Sequence, residues 1–208
     1  MIKREIRSVV FNRLKKYDSS ANYHFRVIDA ECEAVLNQMY NEVAGASPLS
    51  LMRFVKGYGY TTPLAVLSEP STGIYYTTLP ENIVPILDKS SGVRRVAPAT
   101  QTGKKFYPMD QREWDLMMNS SFVSNVKNKI GYCVTSTRIE YYGMTGAIIT
   151  SGVRADLLIP FSEYLDTDVI LVPEHTDKDG LGFIDRVVQS FKDKPPELDL
   201  IDDNKETV

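Results

Sequence analysis

The chain has 208 residues, 43% of them hydrophobic and 25% charged, and carries a formal net charge of −3. That length suits one domain, or one with appendages, and is enough for a core without disulfide or metal staples. The charge balance excludes a global basic field for holding nucleic acid, and no apolar run approaches the roughly 20 residues needed to span a bilayer.

Ile2, Ile6, Val9, Val10, Leu14 and Tyr17 recur at helical spacing and predict an amphipathic first helix. Asp18-Ser19-Ser20 breaks it and is placed to cap a second helix. Phe25, Ile28, Cys32, Val35, Leu36, Met39, Tyr40 and Val43 form that second, longer stripe, which ends at Gly45 and Pro48. Two helices and a short polar loop predict an antiparallel hairpin over 1–46. The start of the chain reads as a charged amphipathic segment, not a signal-peptide core.

The period changes near Leu51. Val55, Leu64 to Leu67, Ile74 to Thr78, Val93 to Val96 and Lys105-Phe106-Tyr107 are short, β-branched or aromatic, and bounded by Gly, Pro and Ser. Asp110 followed by Glu113 is a capping pattern for a helix with Trp114, Met117, Met118 and Phe122 on one face. Strands resume at Tyr132 to Ser136, Arg138 to Tyr142, Val153 to Ile159 and Asp168 to Val172. Many short strands joined by turns predict an antiparallel sandwich or barrel over 51–173, not a βαβ sheet. The expected fold class is α+β. It comprises a helical hairpin, a small β body with an inserted helix, and a last helix over 177–193 that completes a single domain, 1–193.

Residues 194–208 differ. Lys194-Pro195-Pro196 stops the last helix, because proline lacks a backbone donor and disfavours helix in the residue before it. Leu198, Asp199, Leu200, Ile201 and Asp202 then alternate apolar and acidic character. This is expected to be an extended arm that reaches another molecule; the alternative is a frayed terminus. The ends are complementary: Lys3, Arg4, Arg7, Arg13, Lys15 and Lys16 near the start, and Asp193, Glu197, Asp199, Asp202, Asp203 and Glu206 near the end. Two solvated surfaces explain that, and so does the tail of one copy meeting the head of the next, with Arg4 and Arg7 as candidate contacts.

No catalytic constellation is legible. His24 and His175 have no metal-like spacing, so no metal or cofactor is expected. Cys32 and Cys133 read as reduced core thiols. Gly57-Tyr58-Gly59-Tyr60 lacks a following helix and reads as a turn beside a strand. Asp177-Lys178-Asp179-Gly180 lacks the later ligands of a calcium loop, leaving Asp177 or Asp179 as a helix N-cap. Asn119-Ser120-Ser121 is a chance sequon, and Glu163, Asp166 and Asp168 read as a solvated loop. Tyr75-Tyr76 and Tyr141-Tyr142 must each point to both faces of a strand, leaving one member free to face a partner.

The ordered series resembles the ring, or head-to-tail connector, proteins of crAss-like bacteriophages. It consists of the helical hairpin, Tyr75-Tyr76-Thr77-Thr78-Leu79-Pro80, Gly92-Val93-Arg94-Arg95-Val96, Phe106-Tyr107-Pro108-Met109 before the Trp114 helix, the Tyr132–Tyr142 hairpin, and Pro195-Pro196 through Asp203. The resemblance covers nearly all of the chain; Ser90-Ser91 departs from a regular turn. It implies a non-enzymatic virion protein of the phage neck, assembled in the bacterial host cytoplasm. Copies would form a ring, usually twelvefold, that meets the portal or other neck and tail rings. That ring would join capsid to tail and pass DNA non-specifically through its lumen, with no membrane involved. A small cytosolic enzyme with an unrecognised site and a monomeric protein-binding module are the alternatives.

Overall fold

The computed structural model describes residues 1–19, 23–86, 91–100, 103–118, 129–135, 137–173 and 182–193. Helix α1 (Lys3–Tyr17) and helix α2 (Phe25–Ala46) form the expected antiparallel hairpin. The Glu5 carboxylate accepts from the Ile2 N–H at 3.2 Å and so satisfies one donor at the start of α1. Asp18 and Ser19 do not cap α2. His24 occupies that position, its carbonyl accepting from Val27 and Ile28. Ile6, Val10 and Leu14 of α1 and Ile28, Cys32, Val35, Leu36 and Met39 of α2 are buried, the i, i+3/i+4 stripes read from sequence. The last helix, α5 (Phe183–Asp193), buries Phe183, Val187 and Val188 and packs on both. Arg186 of α5 donates to Glu42 of α2 at 2.8 Å.

The β residues form two sheets. In the first, β8 (Val153–Leu157) lies between β1 (Lys56–Tyr58) and β4 (Val93–Pro98), all antiparallel. Val153, Ala155 and Leu157 alternate along this central strand, share one face of it and are buried. The second sheet runs β2 (Leu67–Ser68), β3 (Tyr75–Thr78), β7 (Arg138–Tyr142), β6 (Lys129–Val134), β5 (Lys105–Pro108). Among the described residues each sheet has two edge strands, so neither closes into a barrel.

The expectation of purely antiparallel pairing is corrected here. β5 and β6 pair in parallel, with helix α3 (Gln111–Met118) between them in sequence. A parallel neighbour needs a crossover, and the helix opened by Asp110 belongs to one. Asp110 Oδ1 accepts from the Glu113 N–H at 2.8 Å, and Glu113 Oε2 accepts from the Asp110 N–H at 3.1 Å, the reciprocal cap that the sequence predicts. Helix α4 (Gly146–Ser151) was not expected; it buries Ile148. Asp168 to Val172 makes only an isolated bridge, Val169 to Ile2, instead of a sheet strand. Residues of both sheets and the helices join one buried cluster.

Two glycines hold the first sheet to the loop before β2. Gly152 has φ +79°, and a Cβ there would lie 2.6 Å from the Leu64 carbonyl oxygen. Leu64 and Val153 exchange backbone hydrogen bonds at 2.8 and 3.0 Å at that point, so the carbonyl has nowhere to go. Gly152→Ala is expected to cost about 1–3 kcal/mol from the left-handed backbone alone, measured as a lower urea midpoint; an unchanged midpoint contradicts this packing. Gly59 faces the Val153 carbonyl in the same way; the turn expected over Gly57 to Tyr60 begins only there, because Gly57 and Tyr58 belong to β1. Ser91, at the irregular turn before Gly92, has φ +46°.

Candidate functional site

The three carboxylates after Pro160 are not a loose solvated cluster. Asp166 accepts from Arg7 Nη1 at 2.5 Å. Asp168 accepts from Lys56 Nζ at 2.8 Å and from the Leu165 N–H at 3.0 Å. Glu163 accepts from the Asn82 side-chain amide. Lys3 explains why this loop is so fixed: it is buried, and its ammonium donates to the Ser162 carbonyl at 3.0 Å and the Tyr164 carbonyl at 2.7 Å. The same ammonium lies 5.2 Å from the Phe161 ring centroid, and burial lowers its pKa.

Two nearby carboxyls are pushed in opposite directions. The bond from Lys56 holds Asp168 below the usual aspartate range. Its contribution to stability is full above the ordinary value of about 3.9 and is lost as pH falls through the lowered folded value. Burial pushes Glu81 up, and Glu163 beside it adds to the effect. The cost of ionising Glu81 is therefore absent below about 4.3 and is felt in full once pH has risen past the folded value. Glu81→Gln is expected to raise Tm at neutral and mildly alkaline pH and to leave it unchanged near the ordinary glutamate pKa. A scan of Tm against pH checks this, and an equal shift at every pH contradicts it.

Of the two basic residues expected at an interface, Arg4 is exposed and Arg7 is engaged within the chain. Arg7 Nε and Nη2 donate to the two oxygens of Asp29 at 2.6 and 2.5 Å, a bidentate pair that binds α1 to α2. Leu198, Asp199, Leu200, Ile201 and Asp202 lie outside the described residues, as do Asp177, Asp179, His175, Phe122 and the 119–121 sequon. The tyrosine pairs are largely used inside. Tyr141 is buried against Phe106, Tyr76 carries the Arg138 guanidinium on its ring at 4.9 Å, and Tyr142 lies against Gly131.

The open surfaces are elsewhere, at the two ends of α1. At its N-terminal end, Met1 (51% exposed), Leu165 (66%), Val169 (62%) and Leu171 (53%) are exposed on adjoining segments. The Ile170 N–H donates to the Met1 carbonyl at 2.9 Å, and the Lys3 N–H to the Asp168 carbonyl at 3.1 Å. This fixes the extended 168–171 stretch beside the chain start. Ile170 points inward and its neighbours outward, where a half-buried strand ordinarily carries polar residues. Exposed large apolar residues gathered on adjoining segments make this face a candidate interaction surface.

Compared with models of known protein families and with curated proteins, the chain matches none.

At the C-terminal end of α1 the character changes. Arg13, Lys16 and Tyr17 of α1 face Asp185, Val188, Gln189 and Lys192 of α5 across an open groove of about 490 Å³. Arg13 pairs with Asp185 over the groove, and Lys192 Nζ stands 4.9 Å from the Tyr17 ring centroid. Tyr17 and Phe25 remain more than half exposed. Sequence reasoning found the basic residues of α1 but missed the apolar patch. Leu165, Val169 and Leu171 read there as ordinary strand and loop residues, and the bridge that fixes their segment beside the chain start joins Ile2 to Val169, far apart in sequence. Among the described residues, no group of His, Cys, Asp and Glu is placed to hold a metal ion, and no helix is long and apolar enough to cross a membrane. Cys32 is fully buried, and burial pushes its thiol up to about 12.

Proposed function

We propose that this protein is a structural ring subunit of a bacteriophage neck, joining the capsid portal to the tail and continuing the DNA channel. One observation carries the reading furthest: two chemically different exposed surfaces stand at opposite ends of one rigid helix. The 15 residues of α1 separate them by about 22 Å at 1.5 Å per residue. A surface that matches itself makes a two-fold dimer, whereas two unlike surfaces make head-to-tail contacts, which form a ring when the rotation between copies closes and an open filament when it does not. The motif series from the helical hairpin to Pro195-Pro196, with its likeness to crAss-like phage connectors, supports the same reading. So does the use of Glu163, Asp166 and Asp168 in ties to Asn82, Arg7 and Lys56, which commits all three to holding the fold.

The test is proteomics of purified phage particles. The protein is expected in them at a fixed ratio to the portal. Its absence would overturn the proposal and favour a monomeric binding module or an enzyme. Sequence-specific DNA binding is not expected. Arg94 donates to the carbonyls of Ser91 and Pro48, both at 3.3 Å, which turns it toward its own backbone, while Arg95 is exposed without an aromatic stacking platform in the same strand. A gel-shift at physiological salt is expected to show no dependence on sequence; tight, sequence-dependent retention would contradict this.

A further inference from the structure

The groove between α1 and α5 has the chemistry to receive an extended acidic segment, and this chain contains one. We infer that residues 197–203 of a neighbouring copy dock in this groove, an inference that rests on the ring reading above. The groove presents Arg13, Lys16 and Lys192 against a single acid, Asp185. The carbonyl ends of α1 and α5 also point there and oppose an anion by about half a charge each; with Arg13 paired to Asp185, Lys16 and Lys192 leave the groove an excess of about one positive charge. Residues 194–208 carry five acids, Glu197, Asp199, Asp202, Asp203 and Glu206, against two lysines. Leu198, Leu200 and Ile201 interleave with them. The groove offers matching apolar surface in Tyr17 and Val188, so the segment meets both halves of its own pattern.

The sequence immediately after α5 favours a neighbouring copy as the source of the segment. Asp193 ends the helix beside the groove, so docking on the same copy requires an immediate reversal at 194–196. Two consecutive prolines, as at Pro195-Pro196, disfavour such a reversal, because proline restricts its own φ to near −65° and biases the preceding residue toward extended backbone. Of the two arginines expected at this contact, Arg7 is held by Asp29 and Asp166, and Arg4 is exposed at the opposite end of α1, away from this groove.

The experiment uses the full chain. Equal parts of ordinary and heavy-isotope-labelled protein are treated with a carbodiimide that joins lysine to carboxylate. Mixed-isotope peptides linking Lys16 or Lys192 to Glu197, Asp199, Asp202 or Asp203 are expected. Sedimentation velocity is expected to show loss of the associated species in Asp199→Lys/Asp202→Lys and its return on mixing with Lys16→Asp/Lys192→Asp. Links confined to one copy overturn the proposal and place the segment on its own body. Mixed links that avoid Lys16 and Lys192, or no mixed links at all, also overturn it. A chain that self-associates through other links removes the docking and leaves the ring reading intact; absence from purified particles removes the ring reading itself.

Discussion

Phe161→Ala is expected to lower the unfolding free energy by about 3–5 kcal/mol, the range for deleting a buried phenyl side chain. Phe161 is fully buried, its ring centroid 6.4 Å from that of Phe183 and 5.2 Å from the Lys3 ammonium. It stands where three elements meet: the end of the buried run that continues β8 through Ile159, the first turn of α1, and the start of α5. The next residue, Ser162, donates its N–H to Glu33 of α2 at 3.1 Å, so the backbone on that side is anchored too. A site walled by two helices and a pinned loop collapses poorly when emptied, which places the cost toward the upper end of the range. The loss also exposes Lys3, whose burial is tolerable only while both carbonyls and the ring surround it. Urea unfolding measures this, with a lower midpoint and an unchanged slope. A loss under about 1 kcal/mol, the scale of an exposed substitution, would show that Phe161 is not part of this junction.

Removal of residues 194–208 is expected to do the reverse, leaving stability and abolishing association. Leu198, Leu200 and Ile201 each contribute roughly 1.5–3 kcal/mol when buried, against ordering costs of about 1–2 kcal/mol per backbone residue. One such segment binds weakly, and exposed ion pairs add about 0–1 kcal/mol each. In a closed ring every copy repeats the contact, and a second contact made within an assembled ring is effectively intramolecular. A chain ending at Asp193 is therefore expected to keep near-normal Tm while particles lose the protein or fail to join tails. If the shortened chain unfolds instead, the segment belongs to its own core and the docking account is wrong.

The helical hairpin was legible because α1 and α2 run 15 and 22 residues with unbroken apolar stripes, long enough for a 3.6-residue period to declare itself. The capping pair Asp110 and Glu113 was legible because its chemistry is local. Helix α4 was not: six residues containing Ile148, Ile149 and Thr150 offer β-branched character and too few turns to show a period. The parallel β5–β6 pair was hidden for a different reason, since pairing direction is set by a crossover and not by composition. Lys3 and Arg7 looked like members of a basic surface, because isolated charges are usually solvated. The structure buries one and engages the other, using partners more than 100 residues away for Lys3 and one of two for Arg7. The candidate surfaces suffered most, since exposure of Leu165, Val169 and Leu171 is a property of the assembled body and leaves no trace in spacing.

The most direct test of the central claim is a reconstruction of the neck in purified particles. The account predicts a closed ring of this chain between portal and tail. In it, the α1–α5 groove would meet an adjacent copy's 197–203 segment, and the patch of Met1, Leu165, Val169 and Leu171 would be covered by a neighbour. A particle whose neck contains no density for this chain, or a ring in which both ends of α1 face solvent, would contradict it.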